Sequence, residues 1–165
     1  MSGVGKKPLG ANFYPADMTK AEFEAWVKNH PEDKAAFESE FTVIRRTKDG
    51  GLRAVPYSEE YRTELAEAAK HLKEAAKYVD NESLKTYLNS RADSFLSNDY
   101  FQSDVDWVRL KDHGLEVVFG PYEVYEDELF GYKAAFESFI TIVDPKESKR
   151  LAKVVKFMDD MDKES

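Results

Sequence analysis

The stretch Phe119-Gly-Pro-Tyr-Glu-Val-Tyr-Glu-Asp-Glu-Leu-Phe-Gly-Tyr-Lys-Ala-Ala-Phe-Glu-Ser-Phe-Ile-Thr-Ile-Val143 decides how the fold is read. Upstream of His113-Gly114 the apolar residues recur at helical spacing, whereas from Leu115 onward Val, Phe and Tyr crowd together in alternating or continuous apolar runs, the mark of extended chain. Two strands are expected, near 115–125 and 136–143. Their connection, acidic and carrying Phe130-Gly131, is too short for a parallel crossover, so the strands should pair antiparallel. Within the first strand Glu123 and Tyr125 stand two apart, on one face of an extended backbone, amid Val117, Val118, Phe119, Val124, Leu129 and Phe130. A carboxylate in such company costs solvation free energy unless it is paired or faces a wet cleft. Glu123 and Tyr125 are therefore candidate site residues.

Working outward, Thr19-Lys-Ala-Glu22 is a capping box followed by Phe23, Trp26 and Val27, which predicts a helix from about 19 to 30, ended by Pro31. The β-prone runs near 41–56 flank Lys48-Asp-Gly-Gly51 and read as a hairpin. Ser58 is placed to cap a helix whose Tyr61, Leu65, Ala68, Leu72, Ala76 and Val79 form one apolar stripe. Further helices are expected from Asp80, carrying Leu84, Leu88, Arg91 and Phe95, and from Ser103 or Asp104, carrying Trp107 and Leu110. Asp144-Pro-Lys-Glu147 predicts a last helix with Leu151, Val154, Val155 and Met158 on its apolar side. The expectation is an α+β fold, helix-rich, with a small and mainly antiparallel sheet. No linker or repeat divides the chain, so residues 1–165 are expected to form a single domain, with 1–11 and 159–165 flexible.

Composition narrows the function. A chain of 165 residues with 42% hydrophobic and 13% aromatic content can build a core. Its net charge of −8 disfavours nucleic acid and anionic membrane as partners. No apolar run approaches the roughly 20 residues of a membrane-spanning helix. The absence of cysteine removes disulfides, thiolate metal sites and cysteine nucleophiles, and leaves cytoplasm and periplasm equally open.

His30, His71 and His113 are scattered over different elements, and none has a second ligand at metal spacing; His71 with Glu67 and Glu74 reads as surface ion pairing. Ser58, Ser83, Ser90, Ser94, Ser97 and Ser103 fall at caps and helix surfaces, with no Gly-x-Ser-x-Gly elbow. The acidic run Glu126, Asp127, Glu128 lacks a calcium-loop pattern and reads as a solvated turn. No metal site is expected in this chain.

Gly120, Glu123 and Tyr125, followed by Phe130-Gly131 and Glu137-Ser138-Phe139-Ile140, resemble the substrate-binding segment of dipeptidyl peptidase III, a family of zinc metallopeptidases. The likeness extends through Trp107, Lys111-Asp112 and Gly114, and through Asn12-Phe-Tyr-Pro15, Met18-Thr19 and Val55-Pro-Tyr-Ser58. The resemblance implies that Glu123 holds the N-terminal ammonium of a peptide. It also implies that the Tyr125 hydroxyl donates to the oxyanion at the scissile carbonyl, and that the strand bearing Ser138 contacts the peptide backbone. Ser138 departs from the family's glycine, and Pro121-Tyr122 from a Phe-Ile pair. The family's His-Glu-x-x-Gly-His zinc motif is absent. The expected identity is thus an excised, by itself inactive, substrate-cleft domain of a zinc-dependent aminopeptidase. Its partners would be a peptide and the catalytic lobe of the same parent chain. The alternative is a freestanding helical interaction module using its aromatic surface.

Overall fold

The computed structural model describes residues 5–111 and 114–164, and their side chains except at 156 and 158–164. Expectations resting on Asp112, His113, the Met158 side chain and the extreme termini fall outside the described residues.

The N-terminal part is built around a hairpin. Thr19 caps helix α1 (Lys20–Asn29) by accepting from the Glu22 N–H, as the capping box predicts. Beyond it a single 3-10 turn starts at Pro31 and runs into a short helix α2 (Lys34–Glu38), which the sequence patterns do not reveal because the segment is too brief to show a period. Strands β1 (Thr42–Arg46) and β2 (Leu52–Pro56) then pair antiparallel, with Val43 opposite Val55, and Gly50 at φ 86° turns the chain between them. Phe23, Phe37, Val43, Ile44, Val55 and Tyr57 bury themselves here.

The helical layer follows with shifted starts. A first turn, α3 (Tyr57–Glu60), begins directly after Pro56, and Ser58 caps nothing; its N–H donates to Asn98 Oδ1 at 3.2 Å. The chain kinks at Tyr61, and α4 (Arg62–Ala75) buries Leu65, Ala69 and Leu72. Asn81 rather than Asp80 caps α5 (Glu82–Ser97), accepting from the Leu84 N–H at 2.9 Å. Helix α6 (Phe101–Val108) starts before Ser103, with Asp99 Oδ1 accepting from the Phe101 N–H, and leaves Leu110 outside. Ser103 is buried and bonds Ser94 Oγ at 2.8 Å.

Strands β3 (Leu115–Glu123) and β4 (Ala135–Ile142) form the second antiparallel ribbon, with Val117 opposite Ile140, Phe119 opposite Ser138 and Pro121 opposite Phe136. The fold is α+β with two small two-stranded sheets. Asp144 Oδ1 accepts from the Lys146 and Glu147 N–H groups and starts α7 (Pro145–Glu164), as read from the sequence. Along α7, Leu151, Val154, Val155 and Phe157 remain exposed, an apolar stripe without cover.

Candidate functional site

The ribbon β3–β4 carries the candidate residues, and its two edges differ. On the β3 side the backbone groups that point away from β4 are taken by side chains of the helical layer: Trp107 Nε1 donates to Val117 O at 2.9 Å, and the Phe119 N–H donates to Tyr87 Oη at 3.3 Å. Phe119 and Val117 thus occupy the positions whose N–H and C=O face outward. Antiparallel pairing places their partners Ser138 and Ile140 in the same situation on β4. Pro121 also falls in this outward-facing series, which is why a residue without an N–H is tolerated in the strand. Among the described residues no strand pairs with the outer side of β4, so Ser138 and Ile140 present an open edge.

Between this ribbon and α4 lies a groove of about 730 Å³. Tyr61, Leu65 and Ala68 form one wall, Phe119 and Phe136 the other, and Ser138 lies on its lining. Phe136 anchors the ribbon by packing its ring against Tyr57 and Phe95, at centroid distances of 5.4 and 6.0 Å.

Glu123 is the last residue of β3, opposite Ala135, and is exposed. Tyr125 is 68% exposed but lies in the following turn, not in the strand. The expected strand over 115–125 therefore ends two residues early. The ladder shifts between Pro121 and Glu123, leaving Tyr122 as a bulge, and the turn then closes with the Asp127 N–H donating to Val124 O at 3.1 Å. Glu123 and Tyr125 emerge together at the end of the ribbon, but the shared strand face expected for them is broken by that turn.

The turn itself is held by Asp127. Read as a solvated residue, it is 2% exposed. Its Oδ1 accepts from the N–H groups of Leu129 (3.0 Å) and Phe130 (3.2 Å). Its Oδ2 accepts from Tyr14 Oη (2.7 Å), Tyr132 N–H (3.0 Å) and Lys133 N–H (3.2 Å). Burial and the bond to this carboxylate push the Tyr14 phenol well above its usual value. Glu126 and Glu128 do behave as a solvated surface, pairing with Lys7 at 2.5 and 3.6 Å.

Lys133 is buried with its ammonium donating to Phe37 O (2.6 Å), Ser39 O (2.8 Å) and Thr42 Oγ1 (2.8 Å). Burial pushes it down to about 7, against the upward pull of Asp127. Tyr57 Oη of α3 donates to Ala134 O at 2.8 Å, so the segment leading into β4 is tied at successive residues, Lys133 to α2 and the start of β1 and Ala134 to α3. Sequence reasoning missed Asp127 and Lys133; an Asp inside an acidic run, three residues before Phe-Gly-Tyr-Lys, gives no sign of its burial.

Arg91 of α5 is also fully buried. Its Nη2 donates to Asp104 Oδ1 and to Tyr122 Oη, each at 2.5 Å. The rings of Tyr87, Tyr100 and Tyr122 surround the guanidinium at 5.5, 5.4 and 5.3 Å.

His71 Nε2 lies 3.1 Å from Glu67 on the exposed face of α4, the surface pairing read from the sequence. His30 stacks on Trp26 at 4.2 Å and lies 3.6 Å from Glu32. Among the described residues no group of three or more His, Asp or Glu side chains converges as a metal site requires. Nor is any helix among them long and apolar enough to cross a membrane.

Comparison with known proteins agrees with this layout. The dipeptidyl peptidase III structure from Caldithrix abyssi superposes with a TM-score of 0.92 and 62% identity, covering 98% of this chain and 31% of that one. The dipeptidyl-peptidase III structure from Corallococcus sp. strain EGB gives a TM-score of 0.86 and 52% identity, over 93% of this chain and 29% of that one. A curated plant protein, Nudix hydrolase 3 of Arabidopsis thaliana, is 44% identical over 161 residues, 85% of this chain but 21% of its own length. The chain thus spans less than a third of each of these relatives. M49 peptidases are zinc-dependent, and the described residues do not supply the donor set such a metal needs. The model of peptidase family M49 matches residues 45–161, from the first hairpin through the ribbon to α7, and the chain belongs to that family.

Proposed function

We propose that this chain forms one wall of the peptide cleft in a longer zinc-dependent peptidase that releases N-terminal dipeptides. The observation that carries the reading is the exposure of Glu123 and Tyr125 at the end of a ribbon whose outer strand, β4, has an open edge at Ser138 and Ile140. An extended peptide adding to that edge gains main-chain hydrogen bonds whatever its sequence. In this pose the Glu123 carboxylate complements the free N-terminal ammonium. The Tyr125 hydroxyl, on a turn held rigid by Asp127, donates to the oxygen of the scissile carbonyl as negative charge develops there. Ser138 lies where the peptide backbone would run. The chemistry at the carbonyl belongs to the catalytic lobe of the parent protein.

The same reading accounts for the uncovered apolar surface. Phe139, Ile140 and Ile142 of β4, the groove beside α4, and the stripe on α7 are exposed. The solved relatives are more than three times longer than the matched region, so the remainder of the parent protein is the natural cover. A freestanding interaction module would expose such surface too, but family membership favours the peptidase.

The test is kinetic, on the full-length protein. Tyr125→Phe should lower kcat by roughly 10²-fold with the fold intact, as for loss of one oxyanion donor. Glu123→Gln should mainly raise KM for peptides with a free N-terminus and leave N-acetylated ones unaffected. Parental kinetics for both variants on dipeptide-releasing substrates would refute the assignment.

A further inference from the structure

We infer that Arg91, deep in α5, is a positioning residue for Glu123, acting through the Tyr122 bulge; the inference rests on the reading of Glu123 as the ammonium holder. Glu123 is exposed, and among the described residues no hydrogen bond or ion pair of its own carboxylate fixes its direction. Its aim must come from the backbone. That backbone departs from regular pairing at one place, the shift between Pro121 and Glu123.

Arg91 meets this irregularity from below at two successive points. A Cβ on Gly120 would lie 2.9 Å from Arg91 Nη1 and 3.2 Å from Tyr122 Cε2, and Gly120 sits at φ 149°, so the strand lies directly on the guanidinium. Two residues on, Tyr122 Oη accepts from Nη2, and its ring lies against the same guanidinium. Asp104 of α6 accepts from the same Nη2 and stands 3.4 Å from Tyr122 Oη, tying strand, α5 and α6 at one point.

The desolvation of Arg91 is the second sign. Its Nε and Nη1, and Tyr100 Oη beside it, take no hydrogen-bond partner among the described residues. A buried guanidinium with one nitrogen engaged is an expensive way to hold a core together, because an apolar side chain of similar volume is often no less stable. What the guanidinium supplies and an apolar side chain cannot is direction. Its fork fixes where the Tyr122 hydroxyl sits, and so the twist of the chain as it delivers Glu123.

Tyr122→Phe tests this, because it keeps the ring over Arg91 and removes only the hydroxyl. In the full-length protein it should raise KM for a chromogenic dipeptide amide with a free N-terminus by about tenfold, the size of one charge-assisted hydrogen bond, with kcat within about twofold. A purely structural role would lower the active fraction and hence kcat instead. In the Glu123→Gln background the same change should have almost no further effect on KM, because both variants act through one carboxylate. Additive losses in the double variant would overturn the inference. If Glu123→Gln alone left KM unchanged, the cleft reading would fall and amide hydrogen exchange would decide on Arg91. Exchange at residues 123–125 faster by about tenfold in Tyr122→Phe, with β1–β2 unaffected, would uphold the clamp, and unchanged exchange would refute it.

Discussion

Replacing Asp127 by Asn changes one oxygen into an N–H₂ group and nothing else in shape, so it isolates what the carboxylate contributes. Oδ1 accepts from two backbone N–H groups, and Oδ2 from two backbone N–H groups and the Tyr14 hydroxyl. Whichever oxygen becomes the amide nitrogen, at least two donors then face another donor in a buried site. At about 1.5 kcal/mol for each hydrogen bond to a charged acceptor, the lower bound is about 3 kcal/mol. Lys133 also loses the negative charge that offsets its burial, which raises the figure to roughly 4 kcal/mol. That is a large share of the roughly 5–15 kcal/mol that holds a domain folded. Urea unfolding of the chain should show the midpoint falling with the slope unchanged. Glu126→Gln, one residue away, is the control: it breaks only the exposed pair with Lys7 and should cost less than about 1 kcal/mol. If the two variants proved equally mild, the carboxylate would not be organising the loop, and the account of a rigid turn presenting Tyr125 would fail with it.

Other outcomes follow from the same geometry. Lys133 holds its proton up to about 7 in the folded chain and up to 10.5 in the unfolded one, so unfolding takes up a proton within that window. Stability should therefore climb from pH 7 towards pH 10 at up to about 1.4 kcal/mol per pH unit relative to Lys133→Met, which denaturant titrations at several pH values would measure. Above pH 10 the sign reverses, because burial holds Tyr14, Tyr57, Tyr100 and Tyr122 protonated in the folded chain after the unfolded one has ionised. Gly120→Ala meets both an unfavourable φ of 149° and the Arg91 guanidinium, and should lower stability by about 2–4 kcal/mol in a thermal or urea assay. Trp107→Phe leaves Val117 O without its donor and should cost about 1 kcal/mol.

What was legible in the sequence is what local physics determines. The capping boxes at Thr19 and Asp144, the Gly50-Gly51 turn and the change of period at Leu115 each act over a few residues, and each reads out correctly. Ser58 and Asp80 fail as caps for a related reason: the helix after β2 already begins at Tyr57, whose ring is buried, and Asn81 takes the cap position from Asp80, its amide donating to Lys111 O at 2.8 Å. The candidate pair was visible through resemblance, but the turn that separates Tyr125 from the strand was not. It exists because Asp127 gathers the N–H groups of four residues that follow it and the hydroxyl of Tyr14, far away in sequence. No periodicity encodes a buried carboxylate or a guanidinium enclosed by tyrosines.

The three buried charges have one thing in common: each is spent on the ribbon. A two-stranded sheet is marginal by itself, and with one edge open it could slide in register or twist freely. A slip of one residue on β4 would exchange Ser138 with a neighbour on the opposite face. Trp107 and Tyr87 pin β3 at Val117 and Phe119, Arg91 pins the bulge through Tyr122, and Lys133 fastens the segment leading into β4 to α2 and to the start of β1. Hydrophobic burial could stabilise these contacts as well, but without preferring one register over the next. Directional bonds to buried charges do make that choice, which is what an exposed edge needs if it is to offer a peptide a fixed set of partners while remaining unpaired.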